Sequence, residues 1–270
     1  MTGVTAAPLR PPAGADLLTG PAAVVLDGLS LSFPGDAGRP AVLHEVSLTV
    51  HEGEFVCVVG ASGCGKSTLL SLIAGLATPT AGTVDVPAGR AALMFQEPAL
   101  FPWLTAGENV ELALRLRGVD RRERRDRAGD LLERVHLTGH HRTRIHELSG
   151  GMRQRVALAR ALAQDARLLL MDEPFAALDA ITRDVLHEEL TAVWRSTGMA
   201  VVFVTHNVRE AVRLGQRVEL MSSRPGRFVR SWDVRIEGPR RIESPEVGSL
   251  ALEITDDLRR EIRRHARSGT

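Results

Sequence analysis

The stretch GASGCGKST at residues 60–68 contains the single lysine among the chain's 34 lysine and arginine residues. Its pattern is Gly60, four residues, Gly65, Lys66 and then Ser67, which is the pattern of a phosphate-binding loop. Glycines let successive backbone N–H groups turn toward phosphate oxygens at the positive end of the following helix. A lysine adds a compact charge that reaches the β- and γ-phosphates, whereas the planar fork of an arginine would displace the loop. The stretch therefore predicts a triphosphate site.

Two adjacent carboxylates, Asp172 and Glu173, follow the apolar run RLLLM. Two acids can simply cap the end of a strand, but beside a phosphate loop they favour a metal-dependent reaction. We expect Asp172 to hold Mg²⁺ together with the Ser67 hydroxyl, because this hard cation takes oxygen ligands and keeps several waters. We expect Glu173 to orient and deprotonate an attacking water as a general base.

The stretch LSGGMRQR at residues 148–155 offers a second place to bind an anion. Ser149 is a good N-cap residue, and Gly150 and Gly151 leave backbone N–H groups accessible at the start of a helix. A simple helix start is the alternative interpretation. Two phosphate-binding elements accompany one lysine and one acid pair, so we expect each element to be half of a composite site that a dimer completes.

The order of the segments is that of an α/β fold. Short β-type runs dominate residues 23–60, and the apolar run EFVCVVG leads through the glycine-rich loop into the helical pattern KSTLLSLIAGL. The runs RLLLMDE and MAVVFVTH flank a helical segment at about 180–196, which is the βαβ order of a parallel sheet. His206 ends the second run, so it could lie at the same sheet edge as the acids. Residues 109–165 are predicted to be helical, without a strand.

The C-terminal part is predicted to form a hairpin around Pro225 and Gly226 and then a helix near residues 247–266. The apolar residues predicted to pack this helix on the domain are Leu250, Ile254, Leu258 and Ile262. The predicted division of the chain is a flexible tail at 1–22, an ATPase domain at 23–236 with a helical insert at about 97–165, and a C-terminal helical extension at 237–270.

Composition excludes several classes of partner. The formal net charge of +1 gives no overall field toward nucleic acid or anionic membranes. The arginine-rich segment at 115–130 is interrupted by four acids and has no interleaved aromatics, so a solvated helix face is favoured and no nucleic-acid partner is expected. Cys57 and Cys64 cannot form a disulfide framework. No run approaches the roughly 18 apolar residues of a membrane span, so we expect any membrane role to depend on another protein.

With these motifs in order, the chain resembles the ATP-binding subunit of ABC transporters over about residues 23–222. The resemblance implies an α/β P-loop NTPase of ABC-ATPase type, with a mainly parallel sheet core, an antiparallel β subdomain and a helical insert. It also implies ATP and Mg²⁺ as cofactors. The family's motifs fall on the phosphate loop at 60–68, the glutamine loop FQEP with Gln96, the signature with Ser149, Gly150 and Gly151, the Walker B strand with Asp172 and Glu173, the D-loop with Asp179, and the switch histidine His206.

The resemblance also assigns roles to these residues. The ATP contacts it implies within the phosphate loop are Gly60, Ala61, Ser62, Gly63, Cys64, Gly65, Lys66, Ser67 and Thr68. The implied catalytic residues are Glu173, His206 and Gln96, and the implied metal ligands are Ser67, Gln96 and Asp172. The family forms a homodimer in which ATP lies between the phosphate loop of one subunit and the signature of the other. Its partners are integral membrane permease subunits and, indirectly, a solute-binding protein, which implies a peripheral location on the cytoplasmic face of the cell membrane.

Two features refine this resemblance. The family normally stacks an aromatic residue on adenine, and the chain has no tyrosine, so Phe33 is the expected stacking residue, with a core phenylalanine as the alternative. The stretch FQEPALFPWLTAGENV, with Trp103, and Met152 of the signature look like importers of nitrate, sulfonate and taurine. Importers of other small organic solutes stay open, because the solute never enters this subunit.

Three other classes fit the residues less well. A small-molecule kinase would leave the signature and His206 without a role. A DNA-repair or translation ATPase of the same superfamily would be expected to carry a long coiled-coil insertion or two fused halves. A module that holds ATP without hydrolysing it would not need Glu173.

Overall fold

The computed structural model describes residues 20–32, 41–238 and 240–268. Most of the predicted N-terminal tail and the predicted adenine-stacking residue Phe33 lie outside the described residues. In chain order the strands are β1 (Ala22–Leu31), β2 (Leu43–His51), β3 (Phe55–Gly60), β4 (Ala81–Asp85), β5 (Ala91–Met94), β6 (Leu168–Asp172), β7 (Ala200–Thr205), β8 (Arg217–Met221) and β9 (Phe228–Asp233).

All helices except α6 overlap helical segments predicted from the sequence. In chain order they are α1 (Lys66–Ile73), α2 (Ala106–Leu116), α3 (Arg121–Arg134), α4 (Gly150–Leu162), α5 (Ala180–Thr197), α6 (Val208–Leu214) and α7 (Pro245–Ser268), with a short 3₁₀ turn at Ile145–Glu147. Helices α2, α3 and α4 occupy the region predicted to be helical. Among the described residues no helix has the length and apolar character needed to cross a membrane.

The strands form two sheets. The smaller is antiparallel with the order β2-β1-β4, and the larger has the order β5-β6-β7-β3-β8-β9. All neighbours in the larger sheet are parallel except the β8–β9 hairpin, which turns at the predicted place. The α/β fold with a mainly parallel core and an antiparallel β part is therefore confirmed. The domain boundaries drawn from the sequence stay predictions.

The register of the central parallel strands brings their carboxyl ends together. Every residue of β3 and of β7 is buried, as expected for strands covered on both faces. Val59 of β3 lies beside Thr205 of β7, and Asp172 of β6 lies beside Val204 of β7. The phosphate loop after β3, the acids at the end of β6 and His206 after β7 therefore share one edge of the sheet.

The core consists of two apolar clusters on opposite faces of the large sheet. Cys57 and Val59 of β3 belong to the cluster that includes α4, α5, α6 and α7, whereas Val56 and Val58 belong to the cluster that includes α1 and the antiparallel sheet. This alternation follows from the two-residue period of a strand. Burial of both faces holds the carboxyl edge of the sheet between two packed layers.

Helix α7 packs against α6, but not with the full predicted face. Val247, Ala251 and Ile254 are buried, Leu258 is partly buried, and the side chain of Ile262 is 45% exposed. The prediction that Ile262 packs on the domain was wrong. A strict four-residue spacing drifts around an α-helix of 3.6 residues per turn, so the buried stripe instead alternates steps of three and four.

We predict that Ile254→Ala lowers the free energy of unfolding by about 2–5 kcal/mol, because it leaves a cavity between α7 and the domain. Ile262→Ala on the same helix is the matched control and should change it by less than about 0.5 kcal/mol. Urea unfolding followed by circular dichroism measures both values. Equal effects of the two substitutions would contradict this packing of α7.

Candidate active site at the carboxyl edge of the sheet

The phosphate loop depends on glycines where the chain turns and where it meets its neighbours. Gly65 immediately precedes α1 and has a φ of 105°, a backbone conformation that residues with a side chain rarely adopt. A Cβ at this position would also lie 2.7 Å from Leu43 Cδ2. A Cβ on Gly60 would lie 2.8 Å from Cys64 Sγ and 2.9 Å from the Met221 carbonyl oxygen. The close approach of β2 and β8 therefore requires these glycines.

Lys66 is folded into the loop that precedes it. The residue is only 6% exposed, and its Nζ donates hydrogen bonds to the carbonyl oxygens of Gly60 at 2.9 Å and Ala61 at 3.0 Å. An ammonium group can rotate its three donors within this small space, whereas a guanidinium is wide and planar. The loop thus holds one positive charge at the start of α1, where the helix dipole also favours an anion.

Asp172 and Ser67 meet beside this charge. The pKa of the Asp172 carboxyl group is raised, mainly by desolvation, while the neighbouring Ser67 hydroxyl acts on it in the opposite direction. A desolvated carboxylate next to a hydroxyl has the donor chemistry that Mg²⁺ binds, with phosphate and water oxygens as further ligands. Within the described residues no group of three or more His, Cys, Asp or Glu side chains is arranged to hold a metal ion.

Glu173 and His206 form a hydrogen-bonded pair at the same edge. His206 Nδ1 lies 2.7 Å from Glu173 Oε2, and the side chains are 60% and 19% exposed. Glu173 has a φ of 42°, in the left-handed region that costs energy for a residue with a side chain, and its N–H donates to the Val204 carbonyl oxygen at 2.9 Å. The backbone is thus turned at the strand exit so that an acid and a histidine face the phosphate loop edge.

The signature residues lie at the start of α4. Ser149 is exposed and its Oγ accepts a hydrogen bond from the Met152 N–H at 3.2 Å, as predicted for an N-cap. A Cβ on Gly151 would lie 2.7 Å from Thr182 Cγ2, so this glycine lets α4 approach α5. Among the described residues no hydrogen bond or ion pair joins the signature to residues 60–68. Within the described part of one chain, the two predicted anion-binding elements are therefore not joined directly.

Gln96 lies two residues after β5, the neighbour of β6, and is exposed. Its carbonyl oxygen accepts a hydrogen bond from Gln154 Nε2 at 3.2 Å, and Gln154 belongs to α4. The glutamine loop is therefore attached through its backbone to the helix that carries the signature. The position next to β6 is compatible with the predicted role of the Gln96 side chain near the metal.

Asp179 caps α5. Its carboxylate accepts hydrogen bonds from the Thr182 N–H at 3.0 Å and the Thr182 hydroxyl at 2.7 Å, and the first of these bonds is the main reason for its lowered pKa. The motif residue therefore has a local structural function in fixing the start of α5. That helix also contacts Gly151, so the D-loop and the signature are joined within one chain.

The sequence analysis missed the polar residues behind His206. A small cleft at the sheet edge is lined by Glu173, Ala176, Arg183, Thr205, His206, Asn207 and Glu210. Asn207 caps α6 by accepting hydrogen bonds from the N–H groups of Arg209 and Glu210. An Asn followed three residues later by a Glu is a typical helix start, so the sequence THNVRE could have indicated α6.

The sequence of this chain is similar to those of transport proteins. Residues 43–176 match the family described as ABC transporter. The taurine import ATP-binding protein TauB of Burkholderia pseudomallei is 50% identical over 208 residues, which cover 74% of this chain and 80% of that protein. The nitrate import ATP-binding protein NrtD of Synechocystis is 46% identical over 217 residues, which cover 78% of this chain and 82% of that protein.

Solved structures share the fold. The ATP-binding cassette MJ0796, in a dimeric post-hydrolysis state bound to ADP and Pi, matches with a TM-score of 0.70 and 33% identity over 79% of this chain and 100% of that one. The cbiO1 subunit from Clostridium perfringens, described as part of the ABC transporter complex cbiONQ, matches with a TM-score of 0.71 at 22% identity, covering 80% of this chain and 90% of that one. At that identity the second likeness concerns the fold alone.

We predict that Asp172→Asn raises the free energy of unfolding of the nucleotide-free protein at neutral pH. Burial raises the pKa of Asp172 in the folded state, so its ionised form opposes folding above that pKa. The gain should shrink as the pH falls through the folded-state pKa, where the wild-type carboxyl group is protonated. Urea unfolding over a pH series measures the difference.

Asp179→Asn is the control with the opposite sign. The lowered pKa of Asp179 means that its ionised form favours folding, and this contribution is lost as the pH falls through the folded-state pKa. Its substitution should therefore reduce stability at neutral pH. Loss of stability in Asp172→Asn at neutral pH would contradict the desolvation of that carboxylate.

Proposed function

This chain belongs to the ABC transporter family, and we propose that two copies of it bind ATP and Mg²⁺ at their shared interface and drive solute import through a membrane permease. The chain is an ATP-hydrolysing transporter subunit by its family. The observation that carries the proposal is that, among the described residues, no hydrogen bond or ion pair joins the charged phosphate loop to the signature, whose exposed Ser149 could contact the phosphates of a nucleotide bound to the other chain.

The chemistry proposed for the site follows from its contacts. The backbone N–H groups of residues 60–68 and the Lys66 ammonium would bind the β- and γ-phosphates. Mg²⁺, held by Ser67 and Asp172 with Gln96 nearby, would offset the charge that develops on the phosphate oxygens. Glu173 would accept a proton from the attacking water, and His206, 2.7 Å from Glu173, would orient the acid and the terminal phosphate.

A head-to-tail homodimer accounts for both halves of the site. Ser149, Gly150 and Gly151 of the partner would close over the phosphates bound in the loop, with the start of α4 supplying N–H groups and a favourable dipole. The dimeric state of the cassette at 33% identity supports this arrangement. ATP would hold the closed pair together and hydrolysis would let it open.

The proposed permease contact lies on the helical insert. Trp103 is 67% exposed and Phe95 is 46% exposed, on either side of Gln96 and before α2. Large exposed side chains near the glutamine loop are suited to contact another protein. The hydrogen bond from the Gln154 side chain of α4 to the Gln96 carbonyl oxygen would pass movement of the signature helix to this surface. The subunit would thereby be attached peripherally at the cytoplasmic face of the membrane.

For the solute we propose a small anion of the nitrate, sulfonate or taurine type. The support is the naming of relatives as taurine and nitrate import proteins at 44–50% identity. Import of another small organic solute is the second candidate, because the solute would bind the permease and a solute-binding protein and not this chain. Purification of the intact complex followed by solute-stimulated ATP hydrolysis with nitrate, taurine and an alkanesulfonate would distinguish the two.

We predict that Glu173→Gln lowers ATP hydrolysis at least about 100-fold while ATP binding persists, because only the general base is lost. With ATP and Mg²⁺ the variant should accumulate as a dimer of twice the 29.3 kDa chain mass in light scattering. Adding Ser149→Arg to this variant should prevent dimer formation by blocking the signature. The control is Ser196→Arg, at an exposed residue near the C-terminal end of α5, which should leave the dimer intact. A dimer that survives Ser149→Arg would exclude the signature from the interface.

We predict that Lys66→Arg weakens ATP binding about 30-fold or more, because the guanidinium cannot replace an ammonium held between the Gly60 and Ala61 carbonyl oxygens. Titration calorimetry with ATP and Mg²⁺ measures the affinity. The control is Arg167→Lys, a swap of the same two residue types at an exposed ion pair with Glu52. Unchanged affinity in Lys66→Arg would refute the requirement for a compact charge.

A further inference from the structure

A buried polar network lies directly behind His206 and joins three elements of the domain. It consists of Thr205 at the end of β7, His187 of α5 and Glu210 of α6, which are 2%, 0% and 5% exposed. Buried polar side chains cost free energy unless they are hydrogen-bonded, so such a group requires a structural or functional reason. The reaction proposed above does not use any of the three.

Glu210 is the centre of the network. Its Oε1 lies 2.6 Å from His187 Nε2, and its Oε2 accepts a hydrogen bond from the Thr205 hydroxyl. Arg213 Nη1 lies 3.4 Å from the other ring nitrogen of His187 and 2.5 Å from Asp184 Oδ1. Because a guanidinium only donates, these contacts assign the acceptor role to His187 Nδ1 and the proton to Nε2. Glu210 therefore accepts two hydrogen bonds as a carboxylate.

The network fixes the chain on both sides of His206. The Thr205 Oγ1 also accepts a hydrogen bond from the Asn207 N–H at 3.0 Å. The Asn207 side chain in turn accepts from the Glu210 N–H at 3.3 Å, which ties it to the first turn of α6. His206 is thus flanked by two residues that hydrogen-bond to Glu210, Thr205 to its carboxylate and Asn207 to its backbone N–H, while its own ring reaches Glu173.

We propose that Glu210, oriented by His187, is a positioning residue that holds His206 in place for ATP hydrolysis. This inference rests on the role proposed for His206. Loss of the hydrogen bond that Thr205 or His187 makes to the Glu210 carboxylate would let the segment 205–207 move. The hydrogen bond between His206 Nδ1 and the Glu173 carboxylate persists only if the His206 ring stays within a few tenths of an ångström of its position. Nucleotide binding depends on the phosphate loop and does not require this network.

The first test replaces the hydroxyl of Thr205 in the full-length chain. Thr205→Val keeps the shape but removes the hydrogen bond to Glu210, and Thr205→Ser keeps the hydroxyl. For Mg²⁺-dependent ATP hydrolysis we expect kcat of Thr205→Val to fall about tenfold with KM within about twofold of the wild-type value, and Thr205→Ser to recover most of kcat. Thr255→Val on α7, where the hydroxyl bonds to the Ala251 carbonyl oxygen, is the control and should leave both constants unchanged.

The second test uses Glu210→Gln and His206→Ala, so that a variant that fails to fold does not decide the matter. The amide of Glu210→Gln has one acceptor atom for two donors, and we again expect kcat to fall with KM preserved. In single-turnover reactions Thr205→Val should cause little further loss in a His206→Ala background, because both substitutions act through the same ring.

The outcomes separate this inference from the proposed function. If His206→Ala hydrolyses ATP at the wild-type rate, the role proposed for His206 is wrong. If His206→Ala is slow but Thr205→Val and Glu210→Gln keep the wild-type kcat, the network does not position His206. If Thr205→Val lowers the rate of hydrolysis by the same factor in the His206→Ala background as in the wild type, the network is merely structural. The same conclusion follows if Thr205→Val raises KM by as large a factor as it lowers kcat.

Discussion

The parallel register of β6, β7 and β3 is the constraint on which the site depends. This register sets Asp172 beside Val204 and Val59 beside Thr205. The residues that follow the three strands therefore lie at the same edge of the sheet. Hydrogen-bond ladders within the sheet and apolar layers on both faces hold this register, and a slip of one residue would turn alternate side chains to the wrong face. Backbone pairing therefore brings the phosphate loop, the acid pair and His206 close together.

Two charged groups at this edge, Lys66 and Asp172, have the chemistry of the proposed nucleotide and metal site. Lys66 bonds to carbonyl oxygens of its own loop, and Asp172 has a raised pKa that is only partly offset by Ser67. Phosphate oxygens would accept from the first group and Mg²⁺ would bind the second. The raised pKa of Asp172 means that its ionised form reduces stability, a cost that is common where function needs a desolvated charge.

Helix α5 supports several motifs at once. Asp179 fixes its start, Thr182 contacts Gly151 of the signature, and His187 orients Glu210 behind His206. Farther along, Glu189 binds Arg155 of α4 through two hydrogen bonds of 2.9 and 2.8 Å. One rigid helix therefore sets the relative positions of the signature and the switch histidine within a chain. Motifs far apart in sequence are therefore connected through a single structural element.

The sequence by itself indicated the family and most of the elements, because glycine spacing, the apolar runs and helical periodicity are local signals. Strands β4 and β5 were missed, since β4 is short and largely exposed and carries no clear alternation. Only the tertiary structure decided that Val247 and Ala251, and not Ile262, bury α7, because the buried stripe depends on where α6 lies. The contact between His187 and Glu210 was likewise decided by the tertiary structure alone. These residues are 23 positions apart, and they meet because α5 and α6 pack near the same strand, which no pattern along the chain indicates.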